Sequence, residues 1–468
     1  MRRKTKPNKQ TVRDTGTLIF SLPSELLIDI FRLACTDDRT RLARGHPQAN
    51  IAISMTCSTF RAIILELPDA WTTIDFHLYW PLRVLVSYVT KVLKWCRDLP
   101  LNIIVRDGWR NMTAPWQDLA SLFQRLFAKV SKVDTISFYI SRYDFDPLPE
   151  QWTDCLPSPP RRLEIHHAVE FDTRPKQQRP SQAPKDETQP LRCSMMDSDY
   201  ISLIEEIELV DTIIYLDYEL QAPLPWKSFT QSRRAGQMCT SATMHGDYVF
   251  RMCPDIHTIV LQGGVFRHSL NNPRMPKTRY IPPVHTLEFH DHHGFASFMK
   301  KYPKIHFPQL VKLTLGTYDP LLLSQLLALH PTILDLSLGA VRGAEVWKAA
   351  CPQVTKLSIP AAGLQVLRGS SSHGASAIVF PELMNLHMDC TDYSLCVDEF
   401  EELVETMIME EGVVCSRKQP TSLSFRIPAD ERERRCREAS AWTRSWYAKH
   451  AVIHWNGDLC YVSWPDVL

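Results

Sequence analysis

The sequence carries almost no excess charge of either sign: 53 lysines and arginines stand against 52 aspartates and glutamates in 468 residues. No global field therefore draws the chain to nucleic acid or to an anionic membrane, and recognition has to be local. Thirteen cysteines are scattered singly from Cys35 to Cys460. Without a C-x-x-C pair or a regular spacing they read as reduced, structural thiols, not as a zinc site or a disulfide framework. Met1–Lys9 is basic and polar and lacks the apolar run of a secretory leader, and no later stretch approaches the roughly 18 apolar residues of a membrane span. The expected compartment is cytoplasmic, nuclear or both. Arg2, Arg3, Lys4, Lys6 and Lys9 read as a solvated, disordered basic tail (residues 1–17), with a nuclear import signal as the alternative.

The motifs of common enzymes are also missing. There is no Walker loop, no G-x-G-x-x-G, no G-x-S-x-G and no H-E-x-x-H. The nearest constellation is His290-Asp291-His292-His293 beside His285, but neighbouring residues at a strand exit seldom converge on one metal, so a solvated loop is expected there. Arg432, Arg434, Arg435 and Arg437 are interleaved with Glu431, Glu433 and Glu438, which reads as a solvated helix face. The expectation is a noncatalytic protein with no cofactor and no metal.

With 44% hydrophobic residues the chain has ample material for a core. Residues 77–170 mix an amphipathic helix, Leu82–Trp95, with short strands at Leu101–Val105 and Thr135–Ile140. Residues 172–197, with prolines at 175, 180, 184 and 190 among polar residues, read as a disordered insertion.

From Pro254 onward a repeat emerges: proline, then apolar residues two, five and seven positions later. It occurs at Pro254 (Ile256, Ile259, Leu261), Pro282 (Val284, Leu287, Phe289), Pro308 (Leu310, Leu313, Leu315), Pro331 (Ile333, Leu336, Leu338), Pro352 (Val354, Leu357, Ile359) and Pro381 (Leu383, Leu386, Met388). If about three in ten residues are Ile, Leu, Val, Met or Phe, the 33 prolines give about one match by chance. The observed spacings are 28, 26, 23, 21 and 29 residues, in the window of leucine-rich repeats, in which each unit supplies a strand and a return helix or turn. Helical stretches fall at Phe295–Tyr302, Leu321–Leu329 and Ala344–Ala350.

Proline opens each strand without removing a donor from the ladder interior. By the two-residue period of a strand, positions five and seven point inward, and positions four, six and eight point to the opposite, concave face. That face offers Thr286, Glu288, His290, Lys312, Thr314, Asp335, Ser337, Lys356, Ser358, Asn385, His387 and Asp389 as candidate substrate-binding residues, solvated until a macromolecule covers them. Asp398–Glu411 reads as an acidic amphipathic helix over the last repeat, and residues 430–468, with a hairpin signature at Asn456-Gly457, read as a C-terminal cap.

The segment Ser21–Ala34 predicts a helix opened by Ser and Pro. At 100° per residue Glu25, Asp29 and Arg32 share one side, while Leu26, Leu27, Ile30, Phe31, Leu33 and Ala34, with Ile28 at the margin, cover an arc of about 220°. An ordinary surface helix needs less. Each large apolar side chain left uncovered forgoes about 1.5–3 kcal/mol, so part of this arc is expected to meet another protein.

The pattern L-P-x-E-L-L-x-x-I-F resembles the opening of an F-box. Ser54–Arg61, followed by Pro68-Asp69-Ala70-Trp71-Thr72-Thr73-Ile74, resembles its second half in fungal members. The resemblance implies an F-box module at residues 18–76, followed by an irregular leucine-rich-repeat-like α/β solenoid over residues 77–468. It further implies docking on a Skp-type linker subunit, and through it a cullin-RING ubiquitin ligase of the SCF type, with a protein substrate held by the solenoid. The linker-binding residues it implies are Leu22, Pro23, Leu26, Leu27, Ile30 and Phe31, supported by Met55 and Cys57, while Phe60 and Trp71 pack the core. The repeats depart from the standard leucine-rich pattern: its asparagine is replaced by Gly264, His292, Tyr318, Val341, Ala362 and Thr391, so irregular turns are expected. A non-ligase interaction scaffold and, from another class, a metal-dependent hydrolase using His285 to His293 are the alternatives.

Overall fold

The computed structural model describes residues 19, 22–36, 48–77, 80–106, 124, 130, 132–140, 159–167, 191–194, 203–210, 212–215, 223–232, 243–244, 249, 253–262, 265–266, 282–341, 353–360, 382–389, 422–426, 452–456 and 459–463. The chain is α/β and divides into two units, residues 1–138 with 151–160, and residues 139–150 with 161–468. The expected tail (1–17), most of the insertion (172–190 and 195–197), the helices at 344–350 and 398–411 and the charged segment 430–449 lie outside the described residues. No described helix is long and apolar enough to cross a membrane.

Among the described residues, the first unit has helices α1 (Ser24–Thr36), α2 (Ala49–Thr56) and α3 (Ser58–Leu65), then a 3₁₀ turn, Pro68–Trp71. Helix α1 begins at Ser24, with the Pro23 carbonyl accepting its first hydrogen bond from Leu27 N at 3.2 Å. Strand β1 (Thr73–His77), helix α4 (Leu82–Cys96), and strands β2 (Leu101–Arg106) and β3 (Val133–Ile140) follow, the sheet running in the order β1-β2-β3. Helix α4 buries Leu85, Val89, Val92 and Cys96, one stripe at helical spacing.

The unit continues past the boundary expected at residue 76, because the helical module is welded to what comes after it. Trp71 lies 4.3 Å from Trp95 of α4 between ring centroids, and its indole N–H donates to the Ile64 carbonyl at 2.8 Å. The buried Gln48 accepts from the Tyr88 hydroxyl at 2.9 Å. Buried Asp75 on β1 receives two bonds from Arg106 Nε on β2, at 2.9 and 3.1 Å.

In the second unit the principal strands are β4 (Arg162–His167), β5 (Glu206–Val210), β6 (Ser228–Ser232), β7 (Thr258–Leu261), β8 (Thr286–Phe289), β9 (Lys312–Tyr318), β10 (Asp335–Val341), β11 (Lys356–Pro360), β12 (Asn385–Asp389), β13 (Ser422–Arg426), β14 (Val452–Asn456) and β15 (Leu459–Ser463). From β4 to β13 each strand pairs in parallel with the next. The two apolar runs meeting at Asn456-Gly457 form the antiparallel pair β14·β15, and β15 joins β13 antiparallel. Leu191–Ser194, expected inside the disordered insertion, is instead a strand paired with Thr212–Tyr215. A second short pair joins Thr243–Met244 to Val265–Phe266.

The six residues two places after the repeat prolines, Ile256, Val284, Leu310, Ile333, Val354 and Leu383, are all fully buried, and their partners at positions five and seven from Ile259 to Ile359 are buried with them. Strand entry is handled by a backbone device. The His257 carbonyl accepts from both His285 N (2.8 Å) and Thr286 N (3.0 Å), the His285 carbonyl from Val311 N and Lys312 N (both 2.9 Å), and the Val311 carbonyl from Leu334 N (2.9 Å) and Asp335 N (3.0 Å). The same step links Arg161 to Glu205, Glu205 to Lys227, Lys227 to His257, Leu334 to Thr355 and Thr355 to Met384. Each one satisfies two donors where a loop enters the sheet.

At two of the strand exits an aspartate caps the helix that follows. Asp291 caps helix α5 (His292–Lys301) by accepting from Gly294 N, and Asp319 caps helix α6 (Pro320–Leu329) by accepting from Leu321 N and Leu322 N.

Candidate protein-docking surfaces

Helix α1 divides its apolar arc in two. Leu27 (4% exposed) and Phe31 (3%) turn into the module, where the Phe31 ring meets Phe60 edge-to-face at 5.0 Å. Leu26 (49% exposed), Ile30 (42%) and Leu33 (72%) remain uncovered in this chain. The spacing of 26, 30 and 33 places them on one stripe. Met55, at the end of α2, is 74% exposed.

Burial divides the expected docking set. Leu27 and Phe31 are core residues, since a step of one residue rotates a side chain by about 100°, away from the stripe of Leu26 and Ile30. Leu33 belongs to the exposed stripe although the motif did not single it out; its exposure was legible only as surplus apolar perimeter. Pro23 is exposed and Leu22 half-buried. Cys57 is half-buried and serves the module internally, because it caps α3 with its sulfur accepting from Phe60 N at 3.4 Å. Phe60 and Trp71 are buried. Beside the stripe, Arg32 stands 3.8 Å from both Asp29 and Asp69, an exposed pairing of little energetic weight.

The second surface lies on the sheet of the second unit. Register places Thr286, Lys312, Asp335, Lys356 and Asn385 in one row, and Glu288, Thr314, Ser337, Ser358 and His387 in the next. Lys356 and His290 are exposed and the others half-buried; the side chain of Asp389 lies outside the described residues. Within these rows Glu288 is held by Lys312 Nζ at 2.7 Å, with His290 Nε2 at 3.5 Å. Hydrogen bonding from His290, reinforced by Lys312, outweighs burial and lowers its carboxyl to about 2.

The same rows continue backward onto strands that carry no repeat proline. Arg162, Glu206 and Ser228 align with Thr258 and Thr286, and Glu164, Glu208 and Thr230 occupy the next row. Arg162 contacts Glu164 (2.7 Å), Glu206 (3.5 Å) and Glu208. Burial opposes its charge, but Glu164 and Glu208 outweigh burial and raise its pKa. His166, stacked on Tyr139 at 4.5 Å, closes the group. The apolar pattern at Ile204, Ile207 and Leu209 was the signal for this extension, hidden because no proline precedes it.

No family model and no curated protein matches this chain. The chemistry of the surfaces has to be read from their residues. Among the described residues no group of three or more His, Cys, Asp or Glu is placed to hold a metal ion. In the histidine cluster Asp291 is committed to its helix cap, and the rings of His292 and His293 stand 5.8 Å apart.

Proposed function

We propose that this chain is an F-box substrate receptor, docking on a Skp-type linker subunit through α1 and α2 and presenting a protein substrate on the sheet rows of an irregular leucine-rich-repeat-like solenoid. The observation that carries the reading is the stripe Leu26, Ile30 and Leu33, large apolar side chains left exposed on a helix whose Leu27 and Phe31 already fill the module's core, with Met55 exposed as well on α2. Each is worth about 1.5–3 kcal/mol when covered, and a folded domain holds only about 5–15 kcal/mol in all. A stripe of this kind marks an interaction site. The resemblance of residues 22–31 and 54–74 to the two halves of an F-box supplies the partner.

The receptor itself performs no chemistry. It raises the effective concentration of target lysines near a recruited ubiquitin-conjugating enzyme by holding both on one assembly. Affinity capture of the tagged full chain from cells is expected to recover linker and cullin subunits, and the Leu26→Asp, Ile30→Asp double variant is expected to lose both. Capture of cullin undiminished by the double variant contradicts the docking surface; recovery of the linker without a cullin favours a scaffold outside the ligase.

A further inference from the structure

An apolar recess lies in the first unit, lined by none of the stripe residues of α1. Its walls are Ile51 and Ser54 from α2, Trp71 from the 3₁₀ turn, and Val84, Tyr88 and Trp95 from α4, enclosing about 550 Å³. The rim is basic: Arg83, Ser87 and Lys91 line it on consecutive turns of α4, and no carboxylate is among the lining residues. In the wall Val84 is 46% exposed, and Leu82, two residues before it on α4, is 42% exposed.

Two features separate this recess from an incidental dent. Its floor is aromatic, with the ring centroids of Trp71 and Trp95 4.3 Å apart, and tryptophan is enriched among the residues that carry binding energy at protein interfaces. Its cations are uncommitted, since among the described residues neither Arg83 nor Lys91 makes an ion pair, whereas Arg106 on the neighbouring strand is bound to Asp75. Eight residues of helix separate the two charges by about 12 Å, so they flank the recess.

We propose that this recess docks an acidic segment of a partner protein, with one bulky apolar side chain seated over the tryptophans and carboxylates on either side facing Arg83 and Lys91. The aromatic floor supplies affinity and the two cations supply orientation and rate of encounter. None of Leu26, Ile30, Leu33 and Met55 lines the recess, so variants at the stripe and at the recess rim test the two surfaces separately.

The test is fluorescence anisotropy on the full chain with a fluorescein-labelled acidic peptide of about twelve residues, three helical turns, carrying a central Leu-Trp pair. Two control peptides replace the acids by lysine or the Leu-Trp pair by Gly-Ser. The acidic apolar peptide is expected to bind and the controls to bind at least about tenfold more weakly. The Arg83→Glu, Lys91→Glu variant, at exposed positions that leave the fold intact by circular dichroism, is expected to lose about tenfold or more in affinity, while Leu26→Asp, Ile30→Asp changes nothing. Equal binding of the lysine peptide, indifference to the charge reversal, or no binding by any peptide overturns the proposal. So does self-association of the chain that the charge reversal abolishes, which would assign the recess to a second copy.

Discussion

His330 shows how one side chain ties two segments of the second unit. It is fully buried at the end of α6. Its Nε2 accepts from Phe307 N at 3.0 Å, which leaves Nδ1 as the protonated nitrogen, donating to the Leu326 carbonyl at 2.7 Å. Burial, the largest influence, lowers its pKa below the usual 6.5. The neutral ring is therefore the native form, and its contribution is fully present above pH about 6.5 and is lost as pH falls through the lowered folded value, because the unfolded chain takes up the proton first. His330→Leu removes its hydrogen bonds to Phe307 N and to the Leu326 carbonyl, at about 1–3 kcal/mol for each buried bond lost. Chemical denaturation of the second unit is expected to show that loss at pH 7.5 and a shallower fall of stability toward pH 5 than the wild type; an unchanged pH dependence contradicts the assignment.

At the scale of the strand, glycine marks where neighbouring backbones come closest. A Cβ on Gly339 would sit 1.9 Å from the Gly316 carbonyl oxygen, and one on Gly316 would sit 2.5 Å from that of His290. These obstacles are backbone, not the tip of a flexible side chain, so the ladder itself has to move. Gly339→Ala is expected to destabilise the second unit by about 1–3 kcal/mol, read as a lowered denaturant midpoint with an unchanged slope; a neutral effect contradicts the close approach.

Elements were legible in proportion to how well local pattern reported burial. The spacing of Pro331, Ile333, Leu336 and Leu338 located both the strand and its inward side, because parallel neighbours repeat the same requirement. Strands β4, β5 and β6 escaped because their entries lack proline at the same offset and because Gln231 stands where an apolar residue was required, yet is buried all the same. The paired amides at each strand entry had no signature at all, since any residue supplies a backbone N–H.

At the scale of the whole molecule the chain offers two kinds of surface, an apolar stripe on the first unit and polar rows on the second. The size of the apolar arc on α1 was readable from helical periodicity; its division into a core half and an exposed half was not, because that depends on where α3 and Phe60 approach. The motif therefore grouped Leu27 and Phe31 with Leu26 and Ile30, although the one-residue offset between the pairs turns them about 100° apart, one pair buried and the other exposed. Register aligns the polar rows, but their mixed charge, with Glu288 paired to Lys312, selects no single ligand class.

The central claim is that Leu26, Ile30 and Leu33 are exposed in this chain because a linker subunit covers them. Isothermal titration of a purified Skp-type linker into the full chain tests this most directly. The account predicts saturable binding that is lost in the Leu26→Asp, Ile30→Asp variant while its melting temperature stays that of the wild type, since both positions are already solvated. Wild-type affinity in the double variant, or loss of binding only together with loss of the fold, contradicts it.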